Sequence, residues 1–303
     1  MKLGVTPWDF SNRSARGLTQ QAALAESFGY GSFWLPESHF NSAAIPEPLM
    51  LLAGVAAGTD KIRLATTSYL LPLRNPLQAA EQVAVLDQLC AGRVTLGIGR
   101  GYAPAMLKAF DVTPSEKRQR FEHCLSVMQQ AWSGEPVVVD DEGDSVVLHP
   151  LPVQRPHPPL WVAAFGPKAL AQAGRLGLPY LASPMETMAV LEVNYQRHRA
   201  AASAAGHADI ETVPIMRTVF VTPDGSLATQ VRDRLERDTA RVNADSVDDW
   251  SIVGEASFVR DKISEYAERL NVSHLIVTRL RIGGIDEKAL RQSVETVVAV
   301  VNG

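Results

Sequence analysis

Cysteine is nearly absent from this chain. Cys90 and Cys124 are the only two among 303 residues, and they lie far apart within helical patterns. That usage fits small buried thiols in a reducing compartment better than a disulfide framework or a catalytic thiol. Long apolar runs are absent too: none approaches the roughly 20 residues needed to cross a bilayer. Basic residues are scattered, with no polybasic run, and the formal net charge is −4. A nucleic-acid surface normally shows a basic excess, so neither a nucleic acid nor a membrane is an expected partner. MKLGVTPW passes directly from Met1 into a strand pattern without a signal-peptide pattern, and a cytoplasmic location is the expectation. No Pro/Gly/Ser-rich linker divides the chain, so one domain over residues 1–303 is expected. His39, His123, His149, His157, His198, His207 and His274 show no metal-ligand spacing, so no metal is expected. There is no G-x-S-x-G elbow.

What the chain does contain is alternation of strands and helices. At 46% hydrophobic residues it can bury a large core. Strand patterns cover Lys2–Thr6, Ser32–Leu35, Ile62–Leu71 and Val94–Ile98, then Leu160–Ala164, Tyr180–Ala182, Val213–Thr222 and Leu275–Leu280. Helical patterns follow each, beginning with Leu18–Phe28, Leu49–Ala57, Pro76–Ala91 and Glu116–Trp132. The second half continues with Lys168–Leu176, Glu186–Ala205, Ser257–Leu270 and Glu287–Val301. Eight such pairs match an α/β fold of the (β/α)8 TIM-barrel kind, with insertions, better than a doubly wound sheet. Residues 135–159 read as a hairpin followed by a stiff proline-rich connector. Residues 224–250, with a polar helix over Leu227–Val242, read as either an active-site lid or a surface helix.

Three places carry chemistry. The fourth strand opens into Gly97-Ile98-Gly99-Arg100-Gly101-Tyr102, where bare backbone N–H groups beside a permanent cation suit a phosphate or other oxyanion. The spacing is wrong for G-x-G-x-x-G, which would need glycine at Tyr102. After the fifth strand, Gly166-Pro167-Lys168-Ala169 turns into a helix whose first N–H groups form the positive end of its dipole. Adjacent barrel strands would bring this turn and Arg100 to one rim. At the end of the second strand, Glu37-Ser38-His39-Phe40 lies where barrel catalysis occurs. Ser38 and His39 point to opposite sides of an extended chain and make no hydrolytic triad. A sugar-phosphate or lyase barrel using Arg100 for substrate phosphate is a further reading of the same residues.

The segment TTSYLLPLRNPLQAAEQVAVLDQLCAGRVTLGIGRGY resembles the core signature of the bacterial-luciferase-like flavin-dependent monooxygenases. FWLPESHF, PVQRPHPPLWVAAFGPKALAQAGRLGLPYLAS and IVGEASFVRDKI extend the resemblance, in the right order, over nearly the whole chain. It implies a (β/α)8 barrel, a homodimer, and a reduced flavin or deazaflavin at the carboxyl-terminal mouth. It also implies that Arg100, with Gly99, Gly101 and Tyr102, meets the flavin phosphate, which Gly166, Pro167, Lys168 and Ala169 help to cradle. Thr67 and Ser68 match a pair under the flavin ring, joined in that family by a cis non-proline peptide. FMN as a reduced cosubstrate, supplied by a separate flavin reductase, is the implied cofactor; 8-hydroxy-5-deazaflavin in a dehydrogenase or reductase is the alternative, and a non-catalytic flavin-binding barrel is another. The implied reaction is monooxygenation of a small organic substrate with O2. Ser38 stands where bacterial luciferases carry a catalytic histidine, which argues against aldehyde chemistry. His39 is left as the candidate for proton transfer, with Glu37 orienting it or meeting the dimer partner. The helices Leu49–Ala57 and Pro76–Ala91 carry apolar residues beyond one stripe, the pattern of an isologous dimer face.

Overall fold

The computed structural model describes residues 1–207, 210–239 and 244–303. In chain order the elements are β1 (Lys2–Val5), α1 (Ala15–Phe28), β2 (Ser32–Leu35), α2 (Pro48–Ala56), β3 (Arg63–Thr66), β4 (Tyr69–Leu70), α3 (Pro76–Leu89) and β5 (Val94–Gly99). Next come α4 (Pro104–Ala109), α5 (Lys117–Ser133), β6 (Val137–Val138), β7 (Ser145–Val146), β8 (Leu160–Ala163), α6 (Pro167–Arg175), β9 (Tyr180–Leu181) and α7 (Met188–Ala204). The chain ends with β10 (Pro214–Val221), α8 (Gly225–Thr239), β11 (Ser251–Gly254), α9 (Ala256–Leu270), β12 (His274–Thr278) and α10 (Glu287–Asn302).

Two units are described in turn: Met1–Asn12, Gln20–Trp34 and Val162–Gly303 form the first, and Arg13–Thr19 and Leu35–Trp161 the second. All strand pairs of the first unit are parallel. β1 pairs with β2 through Gly4↔Ser32 and with β12 through Lys2↔His274. β10 pairs with β12 on one side and with β11 on the other, and Ala182, just after β9, bridges to Ile215. Gly4 is required by a close approach: a Cβ there would stand 2.5 Å from Ser32 Oγ and 2.6 Å from Trp34 Nε1. The strands are buried nearly throughout, as expected where helices cover a parallel sheet.

The strand β11 is an addition to the sequence reading. Ser-Ile-Val-Gly is too short to show periodicity and follows an Asp-rich stretch. Its neighbour α8 is seated on a core of its own, with Val231, Leu235, Trp250 and Val253 buried against Phe220 and Leu280. Arg232 pairs with both carboxylate oxygens of Asp248. The end of the helix expected over Leu227–Val242 lies outside the described residues.

The first unit also buries a polar network. Glu186 Oε1 accepts from Tyr180 Oη at 2.5 Å and Asn194 Nδ2 at 2.6 Å, while Oε2 accepts from Ser183 N at 2.6 Å. Burial pushes the Glu186 carboxyl above the usual range despite those donors. Arg217, fully buried on β10, donates Nη1 to the carbonyls of Ser183 and Met216 and stacks on Tyr266.

In the second unit, β5 pairs in parallel with β3 (Leu64↔Val94) and with β4 (Tyr69↔Ile98). Ile62–Leu71 is therefore not one strand, as the sequence suggested. β3 ends at Thr66, the Thr67–Ser68 peptide is cis, and pairing resumes only at Tyr69. The backbone runs on through Leu35 O, which accepts from Thr67 N, and Pro159 O, which accepts from Leu96 N.

Asn75 starts α3 as its composition requires: Oδ1 accepts from Leu77 N and Gln78 N, with Pro76 at the first helical position. Trp132 on α5 donates Nε1 to Ala80 O and covers one side of α3. β6 and β7 form an antiparallel hairpin, and the connector behind it is pinned by Asp87. That carboxylate is fully buried and accepts from Gln154 N at 2.9 Å and Gln154 Nε2 at 2.8 Å.

Candidate functional site

Most of the expected site residues lie in the second unit, where β2, β3 and β5 end. Glu37 follows β2 by two residues, and its side chain is wholly buried. Its Oε1 accepts from His39 Nε2 at 2.9 Å and Arg74 Nη2 at 2.8 Å; its Oε2 accepts from Leu70 N at 2.9 Å. The imidazole of His39 packs edge-on against Phe110, with centroids 4.9 Å apart. Phe40 sits beside both rings, adopts a positive φ of 58°, and is 71% exposed. Ser38 takes no part in this cluster. Its Oγ accepts from Ile45 N and its own N–H donates to Ile45 O, so it closes the loop that carries His39.

Sequence reasoning missed Arg74, which joins the cluster from the turn before α3. Its Nη1 donates to Glu47 at 2.7 Å, and its guanidinium carbon lies 3.9 Å from the Tyr69 ring centroid. The Leu-Arg-Asn-Pro stretch gave no cue beyond helix capping, since the partner carboxylate is 37 positions upstream.

The cis pair Thr67–Ser68 faces the end of β5. A Cβ on Gly99 would collide with Ser68 Oγ, so glycine is needed for the two chains to approach. Gly101 holds φ at +70°, a turn glycine makes without a steric penalty. Arg100 lies between them, with its guanidinium carbon 5.6 Å from the Phe121 ring centroid. Burial, and then the neighbouring charge of Arg118, push the Arg100 guanidinium down to about 10. Arg118 is a second cation the sequence reading did not select, and it stands on the first turn of α5. Beside it, Lys117 Nζ donates to Gly101 O at 3.3 Å. Cations beside a glycine-opened strand end have the chemistry that suits a phosphate-like anion. Tyr102 is 82% exposed and makes no part of the packed cluster.

The remaining expected residues, Gly166–Ala169, lie in the first unit. Gly166 caps α6 with φ +76°, Pro167 takes the first helical position, and Ala169 N donates to Gly166 O at 3.1 Å. Gly166, Pro167 and Lys168 are exposed, and a Cβ on Gly166 would meet nothing within 4 Å. The glycine is thus explained by its backbone angle. Among the described residues, no group of three His, Cys, Asp or Glu side chains could hold a metal ion, and no helix is long and apolar enough to cross a membrane.

Known proteins share the sequence pattern and the fold. The sequence model of the luciferase-like monooxygenase family matches residues 3–241. The crystal structure of monooxygenase RslO1 from Streptomyces bottropensis superposes with a TM-score of 0.84 at 24% identity, covering 100% of this chain and 99% of that one. The oxygenating constituent of 3,6-diketocamphane monooxygenase from Pseudomonas putida, a type II Baeyer–Villiger monooxygenase in complex with FMN, gives 0.82 at 22% identity, covering 99% and 97%. These likenesses show the fold: α/β, of the luciferase-like TIM-barrel class. A curated relative, the F420-dependent glucose-6-phosphate dehydrogenase of Kineococcus radiotolerans, is 37% identical over 176 residues, 54% of this chain and 51% of that protein. The first curated relatives are matched over 51–63% of their own length.

Proposed function

Because the chain belongs to the luciferase-like monooxygenase family, we propose that it is a flavin-dependent oxidoreductase that uses reduced FMN and O2 to oxygenate a small organic substrate. The observation that carries this reading is the cationic end of β5. Arg100 and Arg118 stand near each other there, Lys117 donates to Gly101 O, and Gly99 and Gly101 leave the backbone bare. The residues fit the cofactor: a phosphate suits those cations and the bare backbone at Gly99 and Gly101, and the close approach of Gly99 to Ser68 brings the Thr67–Ser68 pair beside that strand end. Arg100, Gly99, Gly101 and Tyr102 would hold the phosphate side, and Thr67 and Ser68 the ring. In the first unit, Gly166, Pro167, Lys168 and Ala169 form a helix start whose N–H groups suit a phosphate. When bound, reduced flavin supplies the electrons that activate dioxygen.

The chain's own residues then have separable tasks. His39, held by Glu37, offers a ring nitrogen for hydrogen bonding or proton transfer. Phe40 and Phe110 give the cluster an apolar side that suits an uncharged organic substrate. Ser38, tied to Ile45, offers no imidazole for the luciferase reaction. A separate reductase would supply the reduced flavin, consistent with the oxygenating constituent among the similar structures. The dimer face would include Met50, 73% exposed on α2, and Leu89, 61% exposed on α3. We further infer one barrel domain over the whole chain and a cytoplasmic site of action.

The second reading is a deazaflavin-dependent dehydrogenase, favoured by the F420-dependent relative. Anaerobic equilibrium titration of the full chain with reduced FMN and reduced deazaflavin separates the two. Tighter binding of FMN is expected. Tighter binding of deazaflavin selects the second reading, and no binding of either overturns both.

A further inference from the structure

We propose that Arg74 is a positioning residue that fixes the tautomer of His39: by donating to Glu37 it obliges the imidazole to carry its proton on Nε2 and leaves Nδ1 as the acceptor. The inference rests on the reading of Glu37 and His39 as the reactive pair and assigns a direction to it. Glu37 has two carboxylate oxygens and three neighbours. Leu70 N can only donate, and it takes Oε2 at 2.9 Å. A guanidinium can only donate, and Arg74 Nη2 takes Oε1 at 2.8 Å. The third contact, His39 Nε2 to the same Oε1 at 2.9 Å, must then be supplied with a hydrogen by the imidazole. A neutral imidazole protonated at Nε2 is a base at Nδ1. Among the described residues no hydrogen bond uses that Nδ1.

Arg74 is itself held for this task. Glu47 takes Nη1 at 2.7 Å, the Tyr69 ring lies against the guanidinium plane, and the side chain is only 11% exposed. Burial opposes its charge, but Tyr69, Glu37 and Glu47 outweigh that and hold its pKa above the ordinary value. Nε is buried without a partner, so the two carboxylates, rather than saturation of all five N–H groups, set the orientation. Without Arg74, no permanent cation holds Oε1 as an acceptor; a proton taken up there from solvent can be donated to Nε2, and the opposite tautomer, with hydrogen on Nδ1, becomes accessible. The site would then present a donor where it now presents an acceptor.

The test is made on the cofactor-free full chain, so it is independent of whether flavin binds. Long-range proton–nitrogen correlation spectra of histidine-labelled protein report the tautomer, with His39 assigned from a His39→Gln spectrum. The wild type should show the Nε2–H form in excess by about tenfold or more, the factor expected from a charge-assisted hydrogen bond. Arg74→Met should give mixed tautomers, and Arg74→Lys should restore the single form. Should Arg74→Met fail to fold, Glu47→Gln loosens the same clamp from its half-exposed side and should broaden the His39 signal. An Nδ1–H tautomer in the wild type, or an unchanged tautomer in a folded Arg74→Met protein, overturns the proposal. With substrate in hand, Arg74→Met should lower kcat while leaving the Kd for FMN within about twofold, because the altered group lies on the His39 side. Failure of flavin to bind would overturn the functional reading and leave the tautomer result standing.

Discussion

Arg100→Ala separates the cost of building an anion site from the benefit of filling it. In the protein without cofactor, burial and Arg118 hold the Arg100 guanidinium down to about 10. Removing the side chain therefore should not destabilise the cofactor-free protein by more than about 0.5 kcal/mol, the ordinary range for a residue outside the core. The bound state should respond oppositely. A charge-assisted hydrogen bond contributes about 1.5–3 kcal/mol, so the Kd for FMN should rise about 10- to 100-fold. Riboflavin, which lacks the phosphate, supplies the control: its Kd should change by less than about threefold. Anaerobic titration with each ligand, alongside urea unfolding without ligand, measures all three quantities. Equal weakening for FMN and riboflavin, or an unchanged Kd for FMN, would refute a phosphate at Arg100.

Three further outcomes follow from the packing and charge. Trp250→Ala, deleting a side chain only 2% exposed beneath α8, should cost about 3–5 kcal/mol in urea unfolding; a loss below about 1 kcal/mol would mean α8 does not depend on that core. Burial raises the Glu186 carboxyl above its unfolded value, so its contribution is fully present below the ordinary carboxylate range and lost as pH rises through the raised folded value. Glu186→Gln should flatten that decline in a pH series of unfolding midpoints, and an unchanged slope would contradict it. Light scattering at micromolar concentration should give the mass of two chains, falling to one in Met50→Glu/Leu89→Glu; a single-chain mass for the wild type would end the dimer proposal.

Local chemistry was the legible part of the sequence. Asn75-Pro76 announced the start of α3 because capping and proline's fixed φ act within three residues, and the bond from Asn75 Oδ1 to Leu77 N is there at 3.0 Å. Gly99-Arg100-Gly101 was legible as a glycine-opened strand end: Gly101 holds φ at +70°, and Gly99 stands too close to Ser68 for a Cβ. Long-range pairing was not legible. Asp87 reads as an outward-facing helix residue, yet it is fully buried because Gln154, 67 positions away, brings two donors to it. Arg74 reads as a turn residue until Glu37 and Glu47 are brought to it in space. Arg118 looks like one more charge on a polar helix face, and only its closeness to Arg100 gives it meaning. Ser38 was noted as a departure from the luciferase pattern, but its bond to Ile45 could not be seen from the chain alone. The run Ile62–Leu71 misled in another way: Ile62, Thr66, Thr67 and Tyr69 spread strand preference along it, and only the family resemblance marked Thr67–Ser68.

The most direct measurement is a crystal structure of the full chain with FMN. The account predicts the FMN phosphate within hydrogen-bonding distance of the Arg100 guanidinium and the ring system against Thr67 and Ser68. A phosphate bound away from Arg100, or a ring lying elsewhere than on that pair, would contradict it.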